Sequence, residues 1–174
     1  MGKQLIIGKD VMIRPTIESD LPDIMELWND GRVMKYVGYP GGLGVSLEDV
    51  KKGFIDTWND PARHHYTITT PELGFCGELY YKVESSFRRG EIDTKLHSKA
   101  QGQGIATVAF EFLLDTVFNS EPDVDCVYVT PHDENAPAHN LYTRYGFSQI
   151  PWPDDMKAVS NYTYRELKRG DHVK

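Results

Sequence analysis

The run Gln101-Gly102-Gln103-Gly104-Ile105-Ala106 sits between a strand-like segment and an amphipathic helix, and the rest of the chain is arranged around it. Glycines at a helix start let the backbone approach a ligand closely. The first amides of a helix have no partner inside it and carry the positive end of its dipole. Such a loop suits a phosphate or a pyrophosphate. Taken alone, the six residues are equally an ordinary tight turn before a helix, so their surroundings decide.

Working outward, Glu91 to Leu96 reads as the strand entering the loop. A helix follows from about Gly104 to Val117, with Ile105, Val108, Ala109, Phe112 and Leu113 on its apolar face. Val124 to Val129 is a short buried strand, and Asn135 to Tyr145 is a helix. Gly146 stands where a left-handed cap is wanted, and Phe147 can pack back on that helix. Tyr162 to Leu167 is the final strand. Upstream, Val11 to Pro15 is the first strand, and Ser19 or Asp20 caps a helix reaching Asn29. Ser46 and Asp49 resemble a capping box for a further helix carrying Val50, Phe54 and Trp58, with Asp in place of the usual Glu or Gln. His65 to Thr69 and Phe75 to Val83 are strands joined by Pro71–Gly74, and Arg88-Arg89-Gly90 is a turn. The expected class is a mixed α/β (α+β) fold with helices flanking one central sheet.

The chain has 174 residues, 40% apolar and 26% charged, which fits one domain over residues 1–174. Lys and Arg total 19 against 26 Asp and Glu, a net charge of −7. An acidic surface disfavours nucleic acid and anionic lipid and favours cationic substrates such as amines. Leu5-Ile6-Ile7 is too short an apolar run for a secretory leader, and no stretch approaches a bilayer span. Cys76 and Cys126 read as two buried free thiols in a reducing compartment, so the cytoplasm is expected. No Cys/His cluster has zinc spacing, so no metal is expected.

Two phosphate-binding readings fail on spacing. A nucleotide-triphosphate loop ends in Gly-Lys-Ser/Thr, and this loop has no lysine. A dinucleotide fold places its glycines after the first strand; here about a hundred residues precede them and Thr107 holds the third glycine position.

Gln101-x-x-Gly104-x-Ala106 resembles the acetyl-CoA pyrophosphate loop, Gln/Arg-x-x-Gly-x-Gly/Ala, of the GNAT (Gcn5-related) N-acetyltransferases. Asn135-x-x-Ala138-x-x-Leu141-Tyr142-x-x-x-Gly146-Phe147 resembles that family's next signature. Ile13-Arg14-Pro15 with Ser19-Asp20-Leu21 is similar to its opening strand and helix. The element order matches from about residue 10 to 168.

The resemblance implies that the neighbouring parallel strands Glu91–Leu96 and Val124–Val129 splay apart, with acetyl-CoA (CoA as product) between them. Its implied contacts are Leu96, Gln101, Gly102, Gln103, Gly104, Ile105, Ala106, Thr107, Asn135 and Tyr142. Asn135 is equally placed to do no more than cap its helix.

Acetyl transfer needs a neutral amine, an oxyanion donor and a proton for the departing thiolate. Glu91 and Asp93 share one face of their strand, and Glu91 is the first candidate base. Glu78 is a further carboxylate, and relatives that use a water chain need no single base. Tyr142 is the candidate acid. A backbone amide of Glu91–Leu96 is the implied oxyanion donor.

Trp28, Tyr36 and Tyr39, with Glu78, are expected to wall the acceptor, and Gly41-Gly42-Leu43-Gly44 to flex as a lid. His64, His65, His97 and His132 read as solvated loop histidines. The expected function is an acetyl-CoA-dependent N-acetyltransferase acting on a small amine, whether polyamine, aminoglycoside or amino-acid-like. The alternatives are a protein N-terminal (ribosomal-protein-type) acetyltransferase, a non-catalytic acyl-CoA sensor and a nucleotide-binding redox domain. No nucleic-acid or membrane partner is expected, and a homodimer remains open.

Overall fold

The computed structural model describes residues 5–7 and 10–172. In chain order these form β1 (Leu5–Ile7), β2 (Val11–Pro15), α1 (Leu21–Asn29), α2 (Gly31–Met34), α3 (Leu47–Asn59), β3 (Arg63–Thr70), β4 (Gly74–Glu84) and β5 (Arg89–Leu96). Then come α4 (Ile105–Ser120), β6 (Cys126–Val129), α5 (Ala136–Arg144), β7 (Ser148–Gln149) and β8 (Arg165–Lys168). The strands join in one sheet ordered β1-β2-β3-β4-β5-β6-β8-β7. Only β5 and β6 run parallel; the other neighbours are antiparallel.

Strand alternation divides the sheet into two chemically different faces. Ile13, Ile68, Leu79, Tyr81, Ile92 and Leu96 pack with Ala109, Phe110, Leu113 and Val117 of α4 in the larger core. The opposite face meets α1 and α3, whose Leu21, Ile24, Val50 and Phe54 form a second core. The capping box before α3 is real: Ser46 Oγ accepts from the Asp49 amide at 3.2 Å, and Asp49 accepts from the Ser46 amide at 2.9 Å. Asp reaches as well as Glu here because its partner is the adjacent turn. Gly146 closes α5 at φ +84°, and Phe147 is buried against Phe110 and Tyr142 at 5.7 and 5.6 Å.

Several expectations shift. β1 precedes the strand at Val11–Pro15, and β7 and α2 are additional. Arg89 and Gly90 belong to β5 rather than to a turn; the turn is Ser85–Phe87, with Arg88 at φ +52°. The last strand begins at Arg165, and Tyr162 makes only an isolated bridge to His132. Trp58 is 45% exposed because α3 buries only Val50 and Phe54 on that stripe. Cys126 is only partly buried.

The expected lid is pinned. Leu43 donates to the Trp28 carbonyl at 2.8 Å, and Asn29 clasps the Val45 backbone with two 2.9 Å bonds. A Cβ on Gly42 would collide with the Asn29 carbonyl, so this glycine serves close packing rather than hinge motion.

Candidate active site

β5 and β6 pair only through Arg89↔Cys126, Gly90↔Val127 and Glu91↔Tyr128. β6 then ends at Val129, followed by Thr130-Pro131, and proline offers no amide to continue a ladder. β5 runs on to Leu96. The parted strands leave a cleft of about 680 Å³, lined by Glu91–Leu96, Gln101, Asn135, Ala138, Tyr142 and, from the turn after α2, Tyr36. The His97 amide donates to Cys76 on β4, so strand alternation turns the peptide groups of Ile92, Thr94 and Leu96 the other way, toward the cleft.

Glu91 and Tyr142 therefore meet in one cavity, although they lie on a strand and a helix far apart in the chain. Burial raises the Glu91 carboxyl above the usual range, and the neighbouring Asp93 and Glu84 carboxylates raise it further. Asp93 is less free. It binds the Lys95 ammonium and accepts from the Thr94 amide at 2.8 Å. The Tyr142 ring rests on Phe110 and Phe147, while its hydroxyl bonds to no described residue. Burial first, and Asp93 second, push that hydroxyl well above the usual tyrosine value, so it keeps its proton.

At the loop, Gly102 and Gly104 adopt φ +74° and +81°, and a Cβ on either would meet nothing. Conformation, not crowding, calls for glycine here. The Val108 amide reaches the Gly104 carbonyl at 3.3 Å; the amides of Gln103 to Thr107 donate to no described residue. Gln101 spends its side-chain amide on the Leu96 carbonyl at 3.1 Å, bracing loop to strand. Asn135 caps α5, its Oδ1 accepting from the Ala138 amide at 3.3 Å, and it also lines the cleft.

The cleft wall stops at Gln101. Gln103, Gly104, Ile105 and Thr107 instead border a second hollow of about 710 Å³ facing the Thr70–Leu73 turn, and Gly102 and Ala106 line neither.

Three expected acceptor residues lie elsewhere. Glu78 is 2% exposed, with its carboxylate held by Trp28 Nε1 and His65 Nε2 at 2.8 Å each and by Lys95 at 3.4 Å. Trp28 is thereby turned inward, stacked on Phe54 at 6.0 Å, and Tyr39 is 48% exposed outside the cleft. Burial opposes the Glu78 charge, but His65, Lys95 and Trp28 override it and hold the carboxyl at about 2. Lys95 is likewise kept well above the usual lysine value by Asp93 and Glu78, against burial.

His65, expected in solvent, is a link in this interior chain. Thr67 donates to Asp20 at 3.0 Å, which leaves Thr16 to donate to Thr67 at 2.9 Å. The Thr16 hydroxyl meets His65 Nδ1 at 2.7 Å, and His65 Nε2 meets the Glu78 carboxylate at 2.8 Å.

Residues outside the expected site, among them His132, which was expected to be a solvated loop histidine, also border the cleft. His132, Tyr162 and Lys95 do so, the Lys95 ammonium being held by Asp93 and Glu78. Arg144 places a guanidinium 3.4 Å from Thr107 Oγ1, beside the free amides. A basic residue in the last turn of α5, two positions after Tyr142, was the available signal for it.

Comparison with known proteins agrees with this architecture. Residues 10–148 match the acetyltransferase (GNAT) domain family. The fold is similar to spermidine N-acetyltransferase from Vibrio cholerae, solved with CoA and spermine: TM-score 0.81 and 17% identity, over 96% of this chain and 100% of that one. It is also similar to RimL, a ribosomal L7/L12 alpha-N-protein acetyltransferase solved with coenzyme A, at TM-score 0.78 and 16% identity over 95% and 98% of the two chains. A GNAT-family acetyltransferase from Bacillus anthracis matches at TM-score 0.74 and 19% identity, over 98% and 99%. With the strands parted beside a helix start that leaves its amides free, and most of the chain matched, the protein belongs to the GNAT family of N-acetyltransferases, which take the acetyl group from acetyl-CoA.

Proposed function

We propose that residues 1–174 act as one cytoplasmic domain that acetylates a small primary amine, by direct attack of the amine on the thioester. The observation that carries this reading is the cleft between β5 and β6, which holds a raised carboxylate, Glu91, and an unpartnered phenol, Tyr142. The residues suit acetyl-CoA. The edge of β5 beyond Glu91 is open to pairing with an amide-bearing arm, and the amides of Gln103–Thr107 are free for a diphosphate, with Arg144 adding positive charge.

When bound, acetyl-CoA supplies an activated acetyl group and a thiolate leaving group. Glu91 receives the proton of the incoming ammonium, and its raised affinity for a proton suits it to work nearer neutrality. Tyr142 holds its proton at the phenol oxygen for the departing sulfur. Asp93, tied to Lys95, stands beside Glu91 and raises its affinity for a proton. Tyr36 borders the same cavity, with the Lys35 ammonium over its ring at 4.6 Å. Two free thiols, Cys76 and Cys126, support the cytoplasmic assignment.

The test is thiol release from acetyl-CoA with polyamines, aminoglycosides, amino acids and N-terminal peptides. Turnover with a small amine supports the reading. Turnover confined to N-terminal peptides moves the enzyme to protein acetylation.

A further inference from the structure

Three rings from three separate segments meet at the α2 side of the cleft. Tyr36 belongs to the short turn Lys35–Val37, His132 to the β6–α5 connection and Tyr162 to the β7–β8 connection. Tyr36 and His132 have centroids 6.1 Å apart, and His132 meets Tyr162 edge-on at 5.0 Å. All three border the same cavity as Glu91, Asp93 and Tyr142.

His132 and Tyr162 form one firm lip. Thr163 donates to the Pro131 carbonyl at 3.0 Å, Asp133 to Asn161 at 2.8 Å, and the Thr163 hydroxyl to Asp133 at 2.6 Å. The Glu134 amide donates to His132 Nδ1 at 3.2 Å and orients the ring. Tyr36 forms the other lip. Among the described residues no hydrogen bond or ion pair joins the lips. They touch only through rings, and the Tyr162 hydroxyl stands 3.5 Å from where a Cβ on Gly38 would be.

We infer that Tyr36, His132 and Tyr162 are the wall that sets how bulky an acceptor this enzyme accepts. The inference rests on the amine reading above and names its selectivity. The Tyr36 ring already carries the Lys35 ammonium at 4.6 Å, so the three rings act by narrowing the way to Glu91, which a slender alkylammonium passes. A branched or multi-ring amine has to displace one of these half-buried rings from its neighbours. Neither His132 nor Tyr162 is required for proton transfer in the mechanism above, so removing a ring changes which amines fit before it changes chemistry.

The experiment measures kcat/KM for unbranched alkyl monoamines and diamines against aminoglycosides, in wild-type protein, Tyr162→Ala, Tyr36→Ala and Tyr162→Phe. Wild type is expected to favour the slender amines at least tenfold. Either alanine variant should shrink that preference at least tenfold, mainly through KM, while Tyr162→Phe keeps the wild-type ranking. The two alanine variants lie on different lips, so one that fails to fold leaves the other to decide. An active wild type whose ranking persists in the folded alanine variants overturns the wall alone. A wild type that favours bulky amines overturns it as well. A wild type that acetylates no amine overturns the amine reading and, with it, a wall that sorts amines.

Discussion

At the scale of single residues, the cleft separates carboxylates that look alike in the chain. Glu91 and Glu78 are both glutamates on neighbouring strands, yet one is raised by burial and like charge while the other is held at about 2 by its partners. Only the first has its affinity for a proton raised. Because a base must be ionised to act, a raised value moves the acid limb of the kcat/KM profile upward from the ordinary carboxylate range. Glu91→Gln should abolish that limb and lower kcat by about 100-fold; an unchanged pH profile would remove Glu91 from the mechanism. Tyr142→Phe should lower kcat by about 100-fold, with the acetyl-CoA Kd from calorimetry left alone.

Glu78 has a different test. Its folded value lies below its unfolded one, so its contribution is complete above about 4.5 and is lost as pH falls toward about 2. Glu78→Gln removes the buried carboxylate that His65 and Lys95 share, leaving Lys95 with Asp93 alone, and should cost about 3 kcal/mol in denaturant melts at pH 7. The variant's melts should also respond less to acid between pH 5 and 3 than wild-type melts do. The identity of these carboxylates was readable in the chain, but their roles were not. Nothing local distinguishes a glutamate that Trp28 reaches across 50 residues from one facing a cavity.

At the scale of elements, helix α4 and its loop behave as their residues dictate. Gly102 and Gly104 take positive φ, and the amides after them stay free. Gly104→Val forces a branched side chain into φ +81°, at a cost of about 1–3 kcal/mol. It also sets a bulky group beside the amides proposed to hold a diphosphate. The acetyl-CoA Kd should rise at least tenfold, and a folded variant binding as tightly as wild type would refute the assignment of this loop. The caps before α3 and after α5 were legible for the same reason: a cap is a bargain between residues three or four positions apart. Strand ends were less so. β5 begins two residues before Glu91 because Arg89 pairs with both Glu84 and Asp155, the latter 66 residues away.

At the scale of the molecule, the sheet is a partition with one gap. α4 and α5 stand on one side and α1 and α3 on the other, and the cleft crosses where β6 stops and β5 continues. A ligand that fills this gap ties two halves of the sheet together and binds only the folded state. At 100 times its Kd, acetyl-CoA should add about 2.7 kcal/mol, which for a chain of this length raises Tm by roughly 5–10 °C. A melting temperature indifferent to acetyl-CoA would argue against the cleft as its site. The sequence by itself determined the order of elements around the glycine loop and the turn chemistry at Gly102, Gly104 and Gly146. Those features depend on neighbours within a turn or a strand period. Only the tertiary structure decided that Trp28 and Glu78 face each other inside, that the glycine run after Pro40 is clasped by Asn29, that His65 links Thr16 to Glu78, and that His132 and Tyr162 share a lip with Tyr36 opposite. Each of these is a contact across sheet register or between loops, and such contacts are set by how whole elements pack, which no short window of residues records.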